Sequence, residues 1–169
     1  SWARDLRRLM SGEPDVVVNN AGWGIFETVA KTSVEEFDRT VATNLRGLFL
    51  VTREVLPAMI DRGAGHFVNV LSVGARFAFP KNAAYNASKF GALGFTEALR
   101  AEVRRQGVRV TAVLPGATDT GFWDRLEGDW DRARMMPPAA VARAVREASE
   151  TGAEALVEEI RITPPLGNL

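Results

Sequence analysis

The feature that most constrains this chain is a strict alternation of short β-branched runs with long helical stretches. Val16-Val17-Val18, Phe67-Val68-Asn69-Val70-Leu71-Ser72 and Val108 to Leu114 each form a brief apolar run closed by turn residues, the pattern of strands in a parallel sheet, and the first is expected to be buried on both faces. Between them lie two helical patterns. One covers 34–62 and carries Val34, Phe37, Val41, Leu45, Leu48, Val55 and Met59 on one face, with Thr32 or Ser33 and Glu35 or Glu36 offering a capping box and Gly63 to Gly65 a stop. The other covers about 83–105 and ends at Gly107. A further helix over about 2–10, a helix opened by Pro137 and Pro138 and running to about Glu150, and a last strand-like stretch from Ala155 to Thr163 complete the series. Such alternation specifies an α/β fold, a doubly wound and mainly parallel sheet with flanking helices and right-handed crossovers. No repeat or linker interrupts it, so residues 1–169 are expected to form a single domain.

In open sheets of this kind, ligands bind beyond the carboxyl ends of the strands. Three of those ends are polar or glycine-bearing, namely Asn19 to Gly22, Ser72, and Pro115 to Thr120, and they are expected to cluster. Asn20-Ala21-Gly22 is a small-residue turn against which a flat ribose and base can lie, although an ordinary turn has the same composition. Tyr85 and Lys89, four apart, share one helix face, where an ammonium favours the phenolate and draws its pKa down toward working pH. With one tyrosine and three lysines in the chain, that spacing has a chance probability of only about 3 in 168. Ser72 ends the strand before the Tyr85 helix, so its hydroxyl is placed to bond the same substrate oxygen. It lacks the glycine-flanked elbow of a nucleophilic serine, and the lone histidine, His66, stands at a strand start far along the chain from any partner and reads as structural. Asn44 interrupts a helical run next to Leu45 and Leu48, which marks it as partly buried and in use.

Composition removes other classes. Twenty-one basic and 21 acidic residues leave no field that favours nucleic acid or an anionic membrane. The absence of cysteine excludes thiolate metal sites, disulfides and cysteine nucleophiles, so no metal is expected and a cytoplasmic setting is. No apolar run is long enough to span a bilayer, which leaves small molecules as the expected partners.

Taken together, Asn19-Asn20-Ala21-Gly22, Asn44, Ser72, Tyr85-Asn86-Ala87-Ser88-Lys89 and Pro115-Gly116-Ala117-Thr118-Asp119-Thr120 resemble the short-chain dehydrogenase/reductase family in order and spacing along nearly the whole chain. The resemblance implies a Rossmann-type sheet, an NADP or NAD cofactor, and hydride transfer between a carbonyl and an alcohol. It also implies a catalytic set of Asn44, Ser72, Tyr85 and Lys89. Tyr85 would be the general acid or base, Lys89 would tune it and bind the nicotinamide ribose, and Ser72 would position the substrate oxygen. Asn44 would hold a water linking the lysine to solvent. Asn20, Ala21 and Gly22 would line the adenosine side, and Pro115, Gly116, Thr118 and Thr120 the nicotinamide end. The run Val157 to Pro164 is similar to members that use NADP.

The family's opening strand and glycine-rich turn have no counterpart before Asp15, so the sheet is expected to be incomplete at the amino terminus, with the chain a carboxy-terminal portion and Val16-Val17-Val18 an apolar edge. Phe77, Phe79, Trp23, Phe122, Trp123, Trp130, Met135 and Met136 are candidates for shaping the substrate pocket. A homodimer or homotetramer through helices 34–62 and 83–105 is expected, with Gly91, Gly94 and Ala98 allowing close packing. The competing expectation is a truncated or non-catalytic protein that keeps the fold for assembly or regulation.

Overall fold

A computed structural model describes residues 12–152 and 154–167; the helix expected over 2–10 lies outside them. The described chain holds four strands and four long helices in the order β1 (Val16–Asn19), α1 (Val34–Val41), α2 (Gly47–Arg62), β2 (Gly65–Val70), α3 (Ala83–Val103), β3 (Val108–Pro115), α4 (Pro138–Glu150) and β4 (Glu159–Ile162). The strands lie side by side in chain order and every pair is parallel, the arrangement expected of strands that alternate with helices.

Local chemistry accounts for the element ends. Ser33 Oγ accepts from the Glu36 amide at 3.2 Å while the Glu36 carboxylate accepts from the Ser33 amide at 2.9 Å, a complete capping box at the start of α1. The helical run from 34 to 62 is not uniform: between α1 and α2 the chain widens into a π-type turn over Ala42–Arg46, which carries Asn44. Gly63 ends α2 in the left-handed conformation at φ +66°.

Alternate residues of β2 face opposite layers. Phe67 joins Val110 against Val55 and Met59 of α2 and Leu99 and Val103 of α3, whereas Val70 shares a cleft with Val141 and Val145 of α4. The sheet is therefore covered on both faces. Because α4 lies on the face opposite α2 and α3, the three connections do not share one hand, in contrast to the uniform right-handedness expected from the sequence. A second correction concerns β1. Only Val17 packs on the core, and Val16 and Val18 are 38% and 47% exposed, because β1 is an edge of the described sheet with β2 as its one neighbour. An apolar run in sequence reports affinity for a sheet and not how many neighbours cover it.

Where α2 ends and β3 begins, two glycines meet. A methyl group on Gly107, itself at φ +74°, would lie 2.0 Å from the Gly63 carbonyl oxygen, while one on Gly63 would enter open space. Gly63→Ala is expected to cost about 1 kcal/mol, the left-handed penalty alone. Gly107→Ala adds a backbone clash and is expected to cost several-fold more, about 3 kcal/mol or above, in urea unfolding. Equal costs would contradict this account.

His66 is sealed in the α4-facing layer. Its Nε2 lies 2.8 Å from Thr111 Oγ1, and Thr111 donates its own proton to the Val157 carbonyl at 2.6 Å, so Nε2 carries the hydrogen. Burial, reinforced by the Arg109 guanidinium, lowers the imidazole from 6.5 to about 4. The unfolded chain thus binds the proton that the folded one refuses, so stability is complete above pH 6.5 and falls as pH drops toward 4. Across that window His66 is expected to remove up to about 3 kcal/mol. Comparing pH-dependent unfolding of His66→Gln with the parent protein checks this, since the variant should show a correspondingly flatter profile.

Candidate active site

Parallel register aligns Asn19 with Asn69 and Asn69 with Ala112, which brings the carboxyl ends of β1, β2 and β3 to one edge. The three polar strand ends singled out in the sequence meet there. A buried polar ladder runs beneath them: Asn19 donates to Asn69 at 2.9 Å, and Asn69 donates to Thr96 of α3 at 3.0 Å. Ser72 caps a short 3-10 turn, Val73–Ala75, its Oγ accepting from the Gly74 amide at 3.0 Å. The first turn of α3 delivers Tyr85 to the same edge, and one turn later Lys89 places Nζ 5.6 Å from the Tyr85 ring centroid.

The Tyr85 ring occupies a slot between two glycine backbones. A methyl on Gly24 would lie 2.6 Å from Tyr85 Cδ2, and one on Gly74 would lie 3.2 Å from Cε1 on the other side. Neither glycine has a positive φ, so space and not backbone conformation is what each provides. Aromatic rings close the remaining side. Phe26 sits edge-on to Tyr85, Phe122, Trp123 and Trp130, at centroid distances of 6.4, 6.1, 5.8 and 5.6 Å.

Burial dominates the electrostatics. It pushes the Tyr85 phenol above 10, against which the hydrogen-bonding Ser72 hydroxyl pulls downward, and it lowers the Lys89 ammonium from 10.5 to about 8. The expectation that Lys89 draws the phenol toward neutral pH is thus not met in this arrangement. Desolvation acts on both groups and favours the uncharged form of each. Lys89 is 4% exposed and makes no hydrogen bond or ion pair with any described residue, its Nζ resting over the Tyr85 ring.

Asn44, carried by the π-type turn, is buried and committed. Its Oδ1 accepts from the Trp23 amide, and its Nδ2 donates to the Trp23 carbonyl and to Ser88 Oγ, all at 2.8 Å. It therefore staples the loop after β1 to α3, leaving one Oδ1 lone pair for a water. Gly22 of that loop stands over the pair: a methyl there would be 3.8 Å from both Asn44 Oδ1 and Lys89 Nζ. Asn20, Pro115, Thr118 and Thr120 line a cleft of about 620 Å³ bounded by Val18, Val70 and α4. Ala21 and Gly116 adjoin these residues without lining the cleft, and the Thr118 hydroxyl donates to the Gly116 carbonyl at 3.0 Å.

Of the expected pocket aromatics, Phe122 packs against Tyr85, whereas Trp123 and Trp130 join the same cluster through Phe26. Phe77 is exposed beneath the Arg161 guanidinium, Trp23 lies under Arg39, and Met135 and Met136 are buried in the core. Sequence reasoning passed over Phe26, Gly24 and Arg132. Arg132 organises residues 117–136 by pairing with Asp119 and Asp124 and donating to the Thr120 carbonyl at 3.1 Å. Alternating charge in that segment was the one available signal.

The model of the short chain dehydrogenase family matches residues 4–130. Sepiapterin reductase of Chlorobaculum tepidum is 36% identical over 171 residues, covering 98% of this chain and 70% of that protein. 2-(R)-Hydroxypropyl-CoM dehydrogenase of Xanthobacter autotrophicus is 43% identical over 115 residues, 64% of this chain and 45% of that protein. Among solved structures, an alcohol dehydrogenase from the archaeon Thermococcus sibiricus complexed with 5-hydroxy-NADP superposes with a TM-score of 0.88 at 26% identity, over 99% of this chain and 70% of that one. A metagenomic short-chain oxidoreductase in complex with NADP gives 0.80 at 28%, over 96% and 66%. On these grounds and on its parallel, doubly covered sheet, the chain belongs to the short chain dehydrogenase family.

Proposed function

We propose that this chain carries the reducing centre of an NADP(H)-dependent oxidoreductase that converts a ketone or aldehyde to an alcohol. The observation that carries the reading is a buried Lys89 that bonds to no described residue and stands over the Tyr85 ring, with Ser72 near the phenol, all at the carboxyl edge of a parallel sheet. A buried ammonium with free donors and a glycine, Gly22, at its open side suits the hydroxyls of a ribose. The NADP and 5-hydroxy-NADP bound by the two similar structures support that choice of cofactor.

When bound, the nicotinamide supplies the hydride. The chain's own residues do the rest. Ser72 directs its hydroxyl at the substrate oxygen and orients it. Tyr85, held protonated by burial, gives its phenolic proton to that oxygen as negative charge develops, which favours the reductive direction at neutral pH. Lys89 anchors the ribose, and Asn44 holds the loop that closes over it. Asn20, Pro115, Thr118 and Thr120 line the cleft in which the rest of the nucleotide would lie. The aromatic wall of Phe26, Phe122, Trp123 and Trp130 excludes water from the reacting carbonyl.

The domain is proposed to act as an oligomer through α2 and α3, where Phe49, Leu50 and Phe90 are exposed. Gly94 faces open space and is available for close approach, whereas Gly91 already packs against Leu45 within the chain.

The test is carbonyl-dependent oxidation of NADPH, followed by the loss of its absorbance with a panel of small ketones and aldehydes. Tyr85→Phe is expected to lower turnover by about 10²- to 10⁴-fold while leaving the melting temperature close to that of the parent. Retention of most activity in that variant would refute the acid assignment.

A further inference from the structure

We propose that Asn86 is a positioning residue that sets the geometry of the Ser72–Tyr85 pair, by clamping the loop after Ser72 onto the helix that carries Tyr85. Asn86 is buried, and its amide is fully engaged with that one loop. Nδ2 donates to the Gly74 carbonyl at 2.7 Å and to the Phe77 carbonyl at 2.9 Å, and Oδ1 accepts from the Phe79 amide at 3.1 Å. Its own backbone amide belongs to the first turn of α3, donating to the Asn82 carbonyl at 2.7 Å. The side chain thus substitutes for missing secondary structure. Residues 74–79 belong to no strand and have only local turn bonds back to Ser72 and Val73, and a single amide satisfies three more of their backbone groups.

Gly74 is the point on which the clamp bears. A methyl at its α-carbon would lie 3.2 Å from Ser72 Oγ, 3.2 Å from Tyr85 Cε1 and 3.3 Å from Asn86 Nδ2, so the serine, the tyrosine and the asparagine converge on one backbone unit. Ser72 Oγ in turn accepts from the Gly74 amide. Pulling Gly74 toward α3 therefore fixes two things together: the orientation of the Ser72 hydroxyl and one wall of the slot that holds the Tyr85 ring. No other described side chain bonds to both the Gly74 and the Phe77 carbonyls. A displacement of about 1 Å at a reacting group can cost about a hundredfold in rate, so a clamp of this kind belongs to function as well as to folding.

The inference rests on the reading of Tyr85 and Ser72 given above, and a readout independent of turnover separates the two. Tyr85 is the chain's one tyrosine, so the ultraviolet absorbance of tyrosinate reports its ionisation alone. Burial raises the pKa of that ionisation and the Ser72 hydroxyl lowers it, so Ser72→Ala is expected to shift the titration upward. Asn86→Ala is expected to shift it in the same direction, and the double variant no further than Ser72→Ala. Turnover of Asn86→Ala should fall about tenfold or more, with NADPH affinity unchanged, and should again add nothing to Ser72→Ala. Gly74→Ala, whose backbone accepts a side chain, crowds the same point without removing the amide and should reproduce both effects, which covers the case of an Asn86 variant that does not fold. A folded Asn86→Ala with the parent's titration and turnover would overturn the proposal, as would effects that multiply with those of Ser72→Ala. A parent protein without carbonyl reduction would defeat the functional reading instead, and the tyrosine titration would still decide the role of Asn86.

Discussion

Parallel pairing of β1, β2 and β3 in register is the constraint on which the rest of this molecule depends. Antiparallel neighbours would send successive strand ends to opposite edges, whereas here Asn19, Asn69 and Ala112 stand level and every strand runs out on the same side. The helices that parallel connections require then supply the remaining parts. One of them, α3, reaches the shared edge with its first turn, and Tyr85 and Lys89 lie on that turn and the next. The site is thus a consequence of topology before it is a matter of particular side chains.

What the edge assembles is held under tension between stability and chemistry. Partial desolvation of Lys89 and Tyr85 costs folding free energy, and polar stapling offsets this locally. Asn44 ties the loop after β1 to α3, Asn86 ties the loop after β2 to the same helix, and the Asn69–Thr96 bond joins that helix to the sheet. Two buried asparagines, Asn44 and Asn69, therefore reach α3 from outside, and a third, Asn86, reaches out from it. Asn44 and Asn86 use amides whose donors and acceptor match backbone and hydroxyl groups, and Asn69 links the Asn19 amide to the Thr96 hydroxyl.

Much of this was legible in the sequence, for identifiable reasons. The Val16 and Phe67 runs, the Ser33–Glu36 box, and Gly63 and Gly107 are local signals, and each marks the element or boundary that the chain forms. The spacing of Tyr85 and Lys89 on one helix is likewise local, and Ser72 follows from its place at a strand end. The rest depends on distant parts of the chain meeting. That Gly24 makes room for the Tyr85 ring, that Phe26 is the hub of the aromatic wall, and that Arg132 gathers Asp119 and Asp124 are facts of tertiary approach with no periodicity to announce them. The pull on the Tyr85 proton is hidden in the sequence for the same reason: spacing reveals that a lysine is near, whereas the extent of burial, which raises the phenol here, emerges only from the packed fold.

The central claim is the proposal that Lys89, which bonds to no described residue, is kept for a nucleotide ribose. It is tested most directly by titrating the protein with NADPH, following energy transfer from tryptophan to bound nicotinamide, beside the Lys89→Met variant. The account predicts saturable binding to the parent and an affinity at least about tenfold weaker in the variant, as befits loss of a charge-assisted hydrogen bond. Equal affinity in the two proteins would contradict it.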